Sequence, residues 1–298
     1  MSGFKKATKS QAKLRCACFG PAGAGKTMSA IRIAKGMAGP NGKIAGIDTE
    51  RGSMSKYGDR WDFDVLELEE HTVDACVEAI NLAGREGYDV LIIDSLTHFW
   101  QTILDEVDKL AKAKYRGNTW SAWSEGTPMQ RKLVNAILTY PGHIIATMRS
   151  KTEWQTSNEN GKSRPVRVGL APEQGKGIEY EFDLLLEIST EHIANVIKDR
   201  TGKFQDKLIE KPDERFGEQL AAWLSDGAPS QPRPPVADEK AMGKAKAAIE
   251  LARSPEKVKE IAAIIRTRRD DGFYLPEQAT ELFELIDERL AMMEEVPA

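Results

Sequence analysis

The sequence predicts an α/β fold in which a mainly parallel central sheet is flanked by helices, with a small helical module at its C-terminal end. From Leu14 to Ile209, apolar runs typical of strands alternate with segments whose apolar residues recur at helical spacing. A proline-rich stretch interrupts this pattern, and only helical patterns follow it. The 298 residues suffice for one large domain and a smaller one.

Each predicted strand is a short apolar run that ends at polar or turn-forming residues. The strands are Leu14–Phe19, Lys43–Asp48, Asp64–Leu68, Val90–Asp94, His143–Met148, Asp183–Ile188 and Ala194–Lys198. The predicted helices are Lys26–Met37, Thr72–Arg85, Phe99–Lys112, Pro128–Thr139 and Asp213–Leu224. The polar stretch 157–163 is predicted to be the tip of an exposed loop or hairpin.

Domain boundaries follow from the proline-rich segment that begins at Gly227. We assign residues 1–227 to the α/β domain, 228–238 to a stiff linker and 239–298 to the helical module. Three helices are predicted in the module, and two of them start at a proline, a residue favoured at the first helical position. They span Glu239–Arg253, Pro255–Arg269 and Pro276–Met293.

Composition and charge limit the class of protein. Hydrophobic residues make up 41% and charged residues 30% of the chain, which is ordinary globular usage. Because no run approaches the ~18 apolar residues of a membrane span, we expect a soluble cytoplasmic protein without a membrane partner. Residues 1–15 carry five cations and no acid, whereas residues 277–298 carry seven acids and one arginine. This asymmetry is typical either of a polyanion-facing surface or simply of two solvated termini.

One motif predicts a nucleoside triphosphate site. It fits G-x-x-x-x-G-K-[ST], follows a predicted strand and opens a predicted helix, as the P-loop motif requires. Its residues are Gly20, Pro21, Ala22, Gly23, Ala24, Gly25, Lys26 and Thr27, and Met28 follows in the helix. Glycines let backbone N–H groups surround phosphate oxygens, Lys26 should reach the β- and γ-phosphates, and the Thr27 hydroxyl should bind Mg²⁺. We therefore expect ATP, or a close relative, together with Mg²⁺.

Two strand-ending acids extend this site. The apolar strand Val90–Asp94 is typical of a Walker B strand, whose aspartate holds Mg²⁺ through water. Glu50 follows the strand that ends at Asp48, at the sheet edge where ligands of open α/β folds bind. A carboxylate there could orient or deprotonate the attacking water, with Asp48 as the rival candidate. His98 could be catalytic or sensing, although a lone histidine near a sheet edge is more often structural.

Together, the P-loop, Ile47-Asp48-Thr49-Glu50 and Leu91-Ile92-Ile93-Asp94-Ser95 resemble the RecA-type ATPase core. The resemblance implies that Glu50 is the catalytic glutamate. Val196-Ile197-Lys198-Asp199-Arg200 resembles the K-x-R hairpin of RecA-fold hexameric helicases such as DnaB. It implies that Lys198 and Arg200 enter a neighbouring subunit's ATP site, so that a homo-oligomer, ring or filament, completes the active site. A charged hairpin tip is the plainer alternative.

Over roughly residues 4–225 the chain resembles the phage-encoded RecA-like ATPases of the AAA_24 type, which include single-strand annealing proteins of phage recombination. The features that carry this likeness are 7–15, Met148–Trp154 and Gly177–Asp183. Met148-Arg149-Ser150-Lys151 occupies the place of the RecA-family γ-phosphate sensor, but the familiar glutamine is absent. The resemblance implies a location in a bacterial host cell.

Two groups of basic and aromatic residues are candidates for contact with single-stranded DNA, because cations follow its backbone and aromatic faces stack on its bases. The first is predicted to lie in a glycine-containing loop region and comprises Lys112, Lys114, Tyr115 and Arg116, near Trp120 and Trp123. The second comprises Arg149, Lys151, Trp154, Lys162, Arg164 and Arg167. Alternatively, the tryptophans pack against the core or a neighbouring subunit.

The favoured function is therefore a DNA-stimulated ATPase that acts on single-stranded DNA, with a single-strand-binding protein as a possible partner. A P-loop kinase for a small molecule or nucleotide, and an ATP-dependent switch without DNA binding, remain the alternatives. A GTPase and an ABC ATPase are disfavoured because the sequence contains neither N-K-x-D nor an LSGGQ-like motif.

Overall fold

The structure is a computed structural model that describes residues 12–159, 162–226, 237, 239–270, 273–274 and 276–294, with the backbone alone for much of 154–168. The chain divides into two compact units, Met1–Ser230 and Gln231–Ala298. Apart from Ala237, the linker predicted at 228–238 lies outside the described residues.

The first unit, as far as it is described, contains nine strands, five α-helices and two short 3₁₀ helices, Met54–Tyr57 and Ile178–Tyr180. The strands are β1 (Arg15–Gly20), β2 (Ile44–Asp48), β3 (Asp64–Glu67), β4 (Val90–Asp94), β5 (His143–Glu159), β6 (Lys162–Pro172), β7 (Leu184–Ile188), β8 (Ile193–Asp199) and β9 (Leu208–Glu210). The helices are α1 (Lys26–Ala38), α2 (Val73–Arg85), α3 (Leu96–Lys114), α4 (Thr119–Thr139) and α5 (Glu214–Ser225). Side chains of Thr72, Ser95, Asn118 and Asp213 cap the starts of α2 to α5.

The strands form one sheet in the order β3-β2-β4-β5-β1-β7-β8-β9, and β6 pairs with the outer part of β5. Strands β3, β2, β4, β5, β1 and β7 are mutually parallel, whereas β8 pairs antiparallel with β7, and β9 pairs antiparallel with β8. The predicted fold class is therefore confirmed. Because parallel strands end at one edge, Gly20, Asp48 and Asp94 lie along the same side of the sheet.

Alternate residues of each central strand pack into two different hydrophobic cores, one on each face of the sheet. On β1, Ala17 and Phe19 belong to the core under α2, α3 and α4, whereas Cys16 and Cys18 belong to the core under α1 and α5. A strand covered on both faces is apolar throughout, which is why these strands read as continuous apolar runs.

Close packing of α5 against α1 fixes the helix that follows the P-loop. A Cβ atom on Gly36 would lie 1.9 Å from the Glu214 carbonyl oxygen, and one on Gly217 would lie 2.2 Å from that of Ile33. Only glycine fits at either position. Arg32 of α1 also forms a two-pronged ion pair with the Glu214 carboxylate.

The sequence prediction misplaced the boundaries of α3 and α4. Helix α3 runs from Leu96 to Lys114 rather than from Phe99 to Lys112, and α4 begins at Thr119 rather than at Pro128. Asn118 caps α4 by accepting the Ser121 N–H, so Pro128 lies inside the helix. The predicted glycine-containing loop region is consequently helical except for residues 115–118.

The loop or hairpin tip predicted at 157–163 is part of a β-hairpin, in which Glu159 pairs with Lys162, but the long strands that lead to it were missed. Strand β5 continues to Glu159 rather than ending at Met148, and it pairs in antiparallel register with β6, which was not predicted. The part of β5 that follows Met148 is polar and lacks the apolar pattern of a buried strand, because it extends beyond the main sheet. Strand β9 was missed as well, since it has only three residues.

The second unit contains α6 (Glu239–Glu250), α7 (Pro255–Asp270) and α8 (Pro276–Glu294). Its core includes Ile249, Val258, Ile265, Leu282 and Ile286. Among the described residues of both units, no helix is long and apolar enough to cross a membrane.

Stability should fall in acid because of His143, whose Nδ1 accepts the Leu14 N–H at 3.0 Å. Burial, aided by Lys13 and Arg15, lowers the pKa of His143 to about 3. As the pH falls, the unfolded chain therefore protonates this histidine first, at a pH of about 6.5. Below that pH, the free energy of unfolding decreases by about 1.4 kcal/mol per pH unit. Urea unfolding at pH 7.5 and pH 5, followed by tryptophan fluorescence, measures the loss; all six tryptophans lie in the first unit.

The matched variant is His143→Asn, which has no proton to gain. Its free energy of unfolding should depend less steeply on pH than that of the native chain. An unchanged slope would rule out His143 as the source of the acid sensitivity.

Candidate nucleotide-binding and catalytic site

The P-loop connects the end of β1 to the start of α1 at the carboxyl edge of the sheet. Gly23 and Gly25 adopt positive φ angles of 78° and 84°, a region open mainly to glycine. This turn directs the chain into α1, whose first residues are Lys26 and Thr27. The unpaired N–H groups of a helix start suit an anion such as a phosphate.

Lys26 lies among the charged groups of this edge. Its Nζ donates to the Pro21 carbonyl oxygen at 2.9 Å. Burial lowers the pKa of Lys26, Arg149 lowers it further, and the nearby Asp94 and Glu50 carboxylates oppose this change. The lysine therefore faces the two acids that the sequence assigned to catalysis.

Asp94 is buried and linked by hydrogen bonds to the start of α1 and to the neighbouring strand β5. It accepts a hydrogen bond from the Thr27 hydroxyl at 2.6 Å, and a second, short one from the Thr147 hydroxyl of β5. Burial raises the pKa of Asp94, and the two hydroxyls act against that change. Sequence reasoning missed Thr147, because one threonine in an apolar strand gives no signal until its neighbour is known.

The donor atoms of this cluster fit a magnesium ion. Mg²⁺ prefers oxygen ligands, usually one or two from the protein, with water and substrate phosphates completing the shell. The Thr27 hydroxyl and the Asp94 carboxylate supply such oxygens next to Lys26. These are the residues that would hold the ion.

Glu50 presents its carboxylate to the same edge and pairs with Arg149. An Arg149 guanidinium nitrogen lies 3.2 Å from Glu50 Oε1. Asp48, the rival candidate, is buried and accepts the backbone N–H groups of Glu50 and Met54. Asp48 therefore shapes the turn that carries Glu50, and Glu50 is the acid with a carboxylate facing the P-loop lysine.

The histidine His192 contacts the P-loop from the turn between β7 and β8. Its Nδ1 lies 3.0 Å from the Ala24 carbonyl oxygen. No sequence motif marks this residue. A cavity of about 210 Å³ adjoins this contact. Its lining includes Gly25, Met28, Arg32, His192 and Pro212.

Lys198 and Arg200 lie away from this cluster. Asp199 pairs with Leu184 at the start of β7, so both basic residues sit at the edge opposite their own P-loop. Lys198 donates to the carbonyl oxygens of Glu179 and Tyr180. Arg200 donates to the Tyr180 carbonyl oxygen and pairs with Asp183 at 3.1 Å. Neither can reach the nucleotide site of its own chain.

The first candidate DNA surface is the corner between α3 and α4. Lys112 pairs with Asp108, and Lys114 and the Tyr115 hydroxyl both bond to Glu125. Arg116 lies in the turn between the helices with a positive φ of 53°. Trp120 is 88% exposed, whereas Trp123 stacks on Trp100. The corner thus presents an open aromatic face whose two lysines are already paired with acids.

The second candidate DNA surface is the β5–β6 hairpin. Arg149 and Lys151 lie at its base, where Lys151 reaches the Gln174 carbonyl oxygen at 3.4 Å. The remaining candidate side chains lie outside those that the structure describes: Trp154, Lys162, Arg164 and Arg167. Arg149, which lies at the base of the hairpin, also pairs with Glu50, so the hairpin is joined directly to the nucleotide-site edge.

A family model described as an AAA domain, AAA_24, matches residues 12–210. Among solved structures, the chain is similar to a KaiC-like protein from the hyperthermophilic archaeon Pyrococcus horikoshii OT3. Identity is 15%, the match covers 67% of this chain and 87% of that one, and the TM-score is 0.38. No curated protein matches the chain.

The Thr147 hydroxyl should matter for Mg²⁺-dependent binding. A valine at this position keeps the side-chain shape but leaves the buried Asp94 carboxylate one hydrogen bond short, a loss of about 1.5–3 kcal/mol for a charged group. We expect Thr147→Val to weaken Mg-ATP binding by about tenfold or more while changing metal-free binding less. Calorimetric titration with ATP, with and without Mg²⁺, measures both.

Thr147→Ser retains the hydroxyl and is the matched control. It should bind Mg-ATP nearly as the native chain does. Native-like Mg-ATP affinity in Thr147→Val would show that the Asp94–Thr147 bond is dispensable for the site.

Proposed function

The chain belongs to the AAA_24 family of AAA domains and has a RecA-like P-loop fold; on that premise, we propose that it hydrolyses Mg-ATP and acts on single-stranded DNA in phage-type recombination or annealing. The observation that carries the proposal is the convergence of Lys26, Asp94 and Glu50 at one sheet edge, with Arg149 linking Glu50 to the base of the β5–β6 hairpin.

Each residue of the cluster has a distinct part in the proposed hydrolysis. Lys26 neutralises charge on the β- and γ-phosphates, and the P-loop N–H groups hold them. Thr27 and Asp94 would hold Mg²⁺, which would help to neutralise the negative charge of the phosphates. Glu50 orients the attacking water and accepts its proton. Arg149 holds the Glu50 carboxylate in place.

The proposed site is completed by a second copy of the chain. Lys198 and Arg200 lie at the sheet edge opposite their own P-loop, which suits residues that act in a neighbouring subunit. Cations placed on the γ-phosphate offset the charge that develops as its bond breaks, a contribution of ~10³–10⁵ in rate for an arginine finger. This supports a homo-oligomer in which each ATP lies between two subunits.

The proposed DNA partner rests on the two basic and aromatic surfaces. At the α3–α4 corner, exposed Trp120 offers a face for base stacking, and Arg116 adds a charge. At the hairpin base, a strand that bound Lys151 would act close to Arg149 and so to Glu50. A single-strand-binding protein would be a natural partner, since it covers the same substrate.

Single-stranded DNA should stimulate steady-state ATP hydrolysis. Lys26→Ala should abolish the activity, because phosphate charge is no longer neutralised. Glu50→Gln should lower kcat by about 10²-fold or more while leaving ATP binding nearly intact, since an amide cannot accept the proton. Phosphate release with and without DNA, alongside calorimetric ATP binding, measures all three.

The possible outcomes separate the competing functions. A rate indifferent to DNA, with no DNA binding in the presence of an ATP analogue, would remove the DNA part of the proposal. Transfer of phosphate to a small molecule, seen by mass spectrometry, would instead indicate a kinase. Tight ATP binding with negligible turnover would indicate a switch.

Mixing two inactive variants tests completion in trans. Lys26→Ala cannot bind phosphate but retains Arg200, whereas Arg200→Ala retains the P-loop. When the variants are mixed, an Arg200→Ala P-loop can face a Lys26→Ala neighbour and form an intact site. We expect partial recovery of ATPase activity, up to about a quarter of the native rate for random mixing in pairs.

The control mixture combines Lys26→Ala with a Lys26→Ala, Arg200→Ala double variant, in which no intact site can form. Recovery in that mixture, or full activity of Arg200→Ala alone, would refute the role of Arg200 in a neighbouring site.

A further inference from the structure

The turn that carries Glu50 is held by a residue to which the sequence analysis could give no definite role. His98 is the third residue of α3, and its Nδ1 lies 2.7 Å from the Thr49 hydroxyl oxygen. Thr49 directly precedes Glu50 and is buried. Its hydroxyl also accepts the Ser95 N–H at 2.8 Å. The hydroxyl therefore joins the Glu50 turn to the first turn of α3.

The same turn of α3 also holds the partner of Glu50. The Thr97 hydroxyl accepts the backbone N–H of Arg149 at 2.9 Å. Arg149 in turn pairs with the Glu50 carboxylate. Thus Thr97 holds Arg149, which pairs with the Glu50 carboxylate. His98 holds Thr49, which precedes Glu50 in the chain. Both ends of Glu50 are tied to one helical turn.

The His98 ring is itself constrained. It stacks on the His71 ring with centroids 5.0 Å apart and an angle of 15° between the planes. Burial, followed by the positive charge of Arg149 and by His71, lowers the pKa of His98. A neutral ring suits this position, because Arg149 and Lys26 already supply positive charge there.

We propose that His98 is a positioning residue that, through the Thr49 hydroxyl, holds Glu50 in register with the attacking water. The proposal rests on the proposed role of Glu50 in hydrolysis, and it adds the residue that holds the Glu50 turn in place. A shift of the catalytic carboxylate by about 1 Å can cost on the order of 10²-fold in rate. The bond can therefore be essential to turnover although His98 touches neither phosphate nor metal.

The test compares variants that break or keep the bond from each side. His98→Leu and Thr49→Val remove the bond and approximately preserve shape, whereas His98→Asn places an amide near the former Nδ1, and Thr49→Ser retains the hydroxyl. We expect each bond-breaking variant to lower kcat by about tenfold to a hundredfold, with KM for ATP changed less than about threefold. The two retaining variants should recover most of the loss.

A double variant shows whether the two residues act together. If His98 works through Thr49, His98→Leu combined with Thr49→Val should be no slower than the worse single variant. Multiplied losses would overturn the proposal. Thr139→Val, at an exposed position of α4, is the matched control for threonine-to-valine substitution and should keep native kcat.

The bond can also be observed without turnover. The chain has four histidines, so selective ¹⁵N labelling of the imidazoles gives few signals, and His98→Asn identifies those of His98. Thr49→Val should shift the His98 signals and leave those of His143 and His192 in place. Unmoved His98 signals would overturn the contact itself.

Glu50→Gln separates this inference from the proposed function. If Glu50→Gln retains turnover, the catalytic assignment fails and the role of His98 fails with it. If Glu50→Gln is inactive but the bond-breaking variants keep native kcat, only the positioning role is overturned.

Discussion

The site depends on a buried carboxylate that would be unfavourable without its neighbours. Asp94 has almost no contact with solvent, and such a charge needs hydrogen bonds or a cation to remain ionised. Thr27 supplies one bond from the start of α1 and Thr147 the other from β5. The carboxylate therefore links the P-loop helix to the central strands β4 and β5. A carboxylate held in this way suits the Mg²⁺ that the proposed function requires.

Glu50 is held differently, in a way that suits its proposed role, because a catalytic carboxylate must remain available for chemistry. Asp48 fixes the Glu50 backbone N–H, Thr49 is tied to α3, and Arg149 holds the carboxylate itself. A partly exposed ion pair of this kind is worth about 0–1 kcal/mol, so it can orient Glu50 without locking it. The residues that hold Glu50 come from β2, α3 and β5, and only the fold brings them together.

This contrast explains how much the sequence could predict. Contiguous signals were sufficient for the fold class, the P-loop and the strand that ends at Asp94, because each is a run of neighbouring residues with a required pattern. Thr147 and His192 escaped because their contacts are with residues 53 and 168 positions away. His98 was singled out, but its contact with Thr49, 49 positions away, could not be predicted. The tip of the β5–β6 hairpin was predicted as a loop or hairpin, but its strands escaped for another reason: a strand pair beyond the sheet buries little apolar surface and lacks the period that marks a strand.

The weak contacts of Arg200 in the isolated chain are compatible with its proposed role in an assembly. The Arg200–Asp183 pair is more than half exposed on the arginine side, so breaking it costs at most about 1 kcal/mol. Stabilisation of a phosphoryl-transfer transition state by an arginine finger, ~10³–10⁵ in rate, corresponds to about 4–7 kcal/mol. The proposed exchange of Asp183 for a neighbour's phosphate is therefore favourable by several kcal/mol in the transition state. The contacts of Arg200 within the isolated chain thus hold its side chain without competing with its proposed role in a neighbouring site.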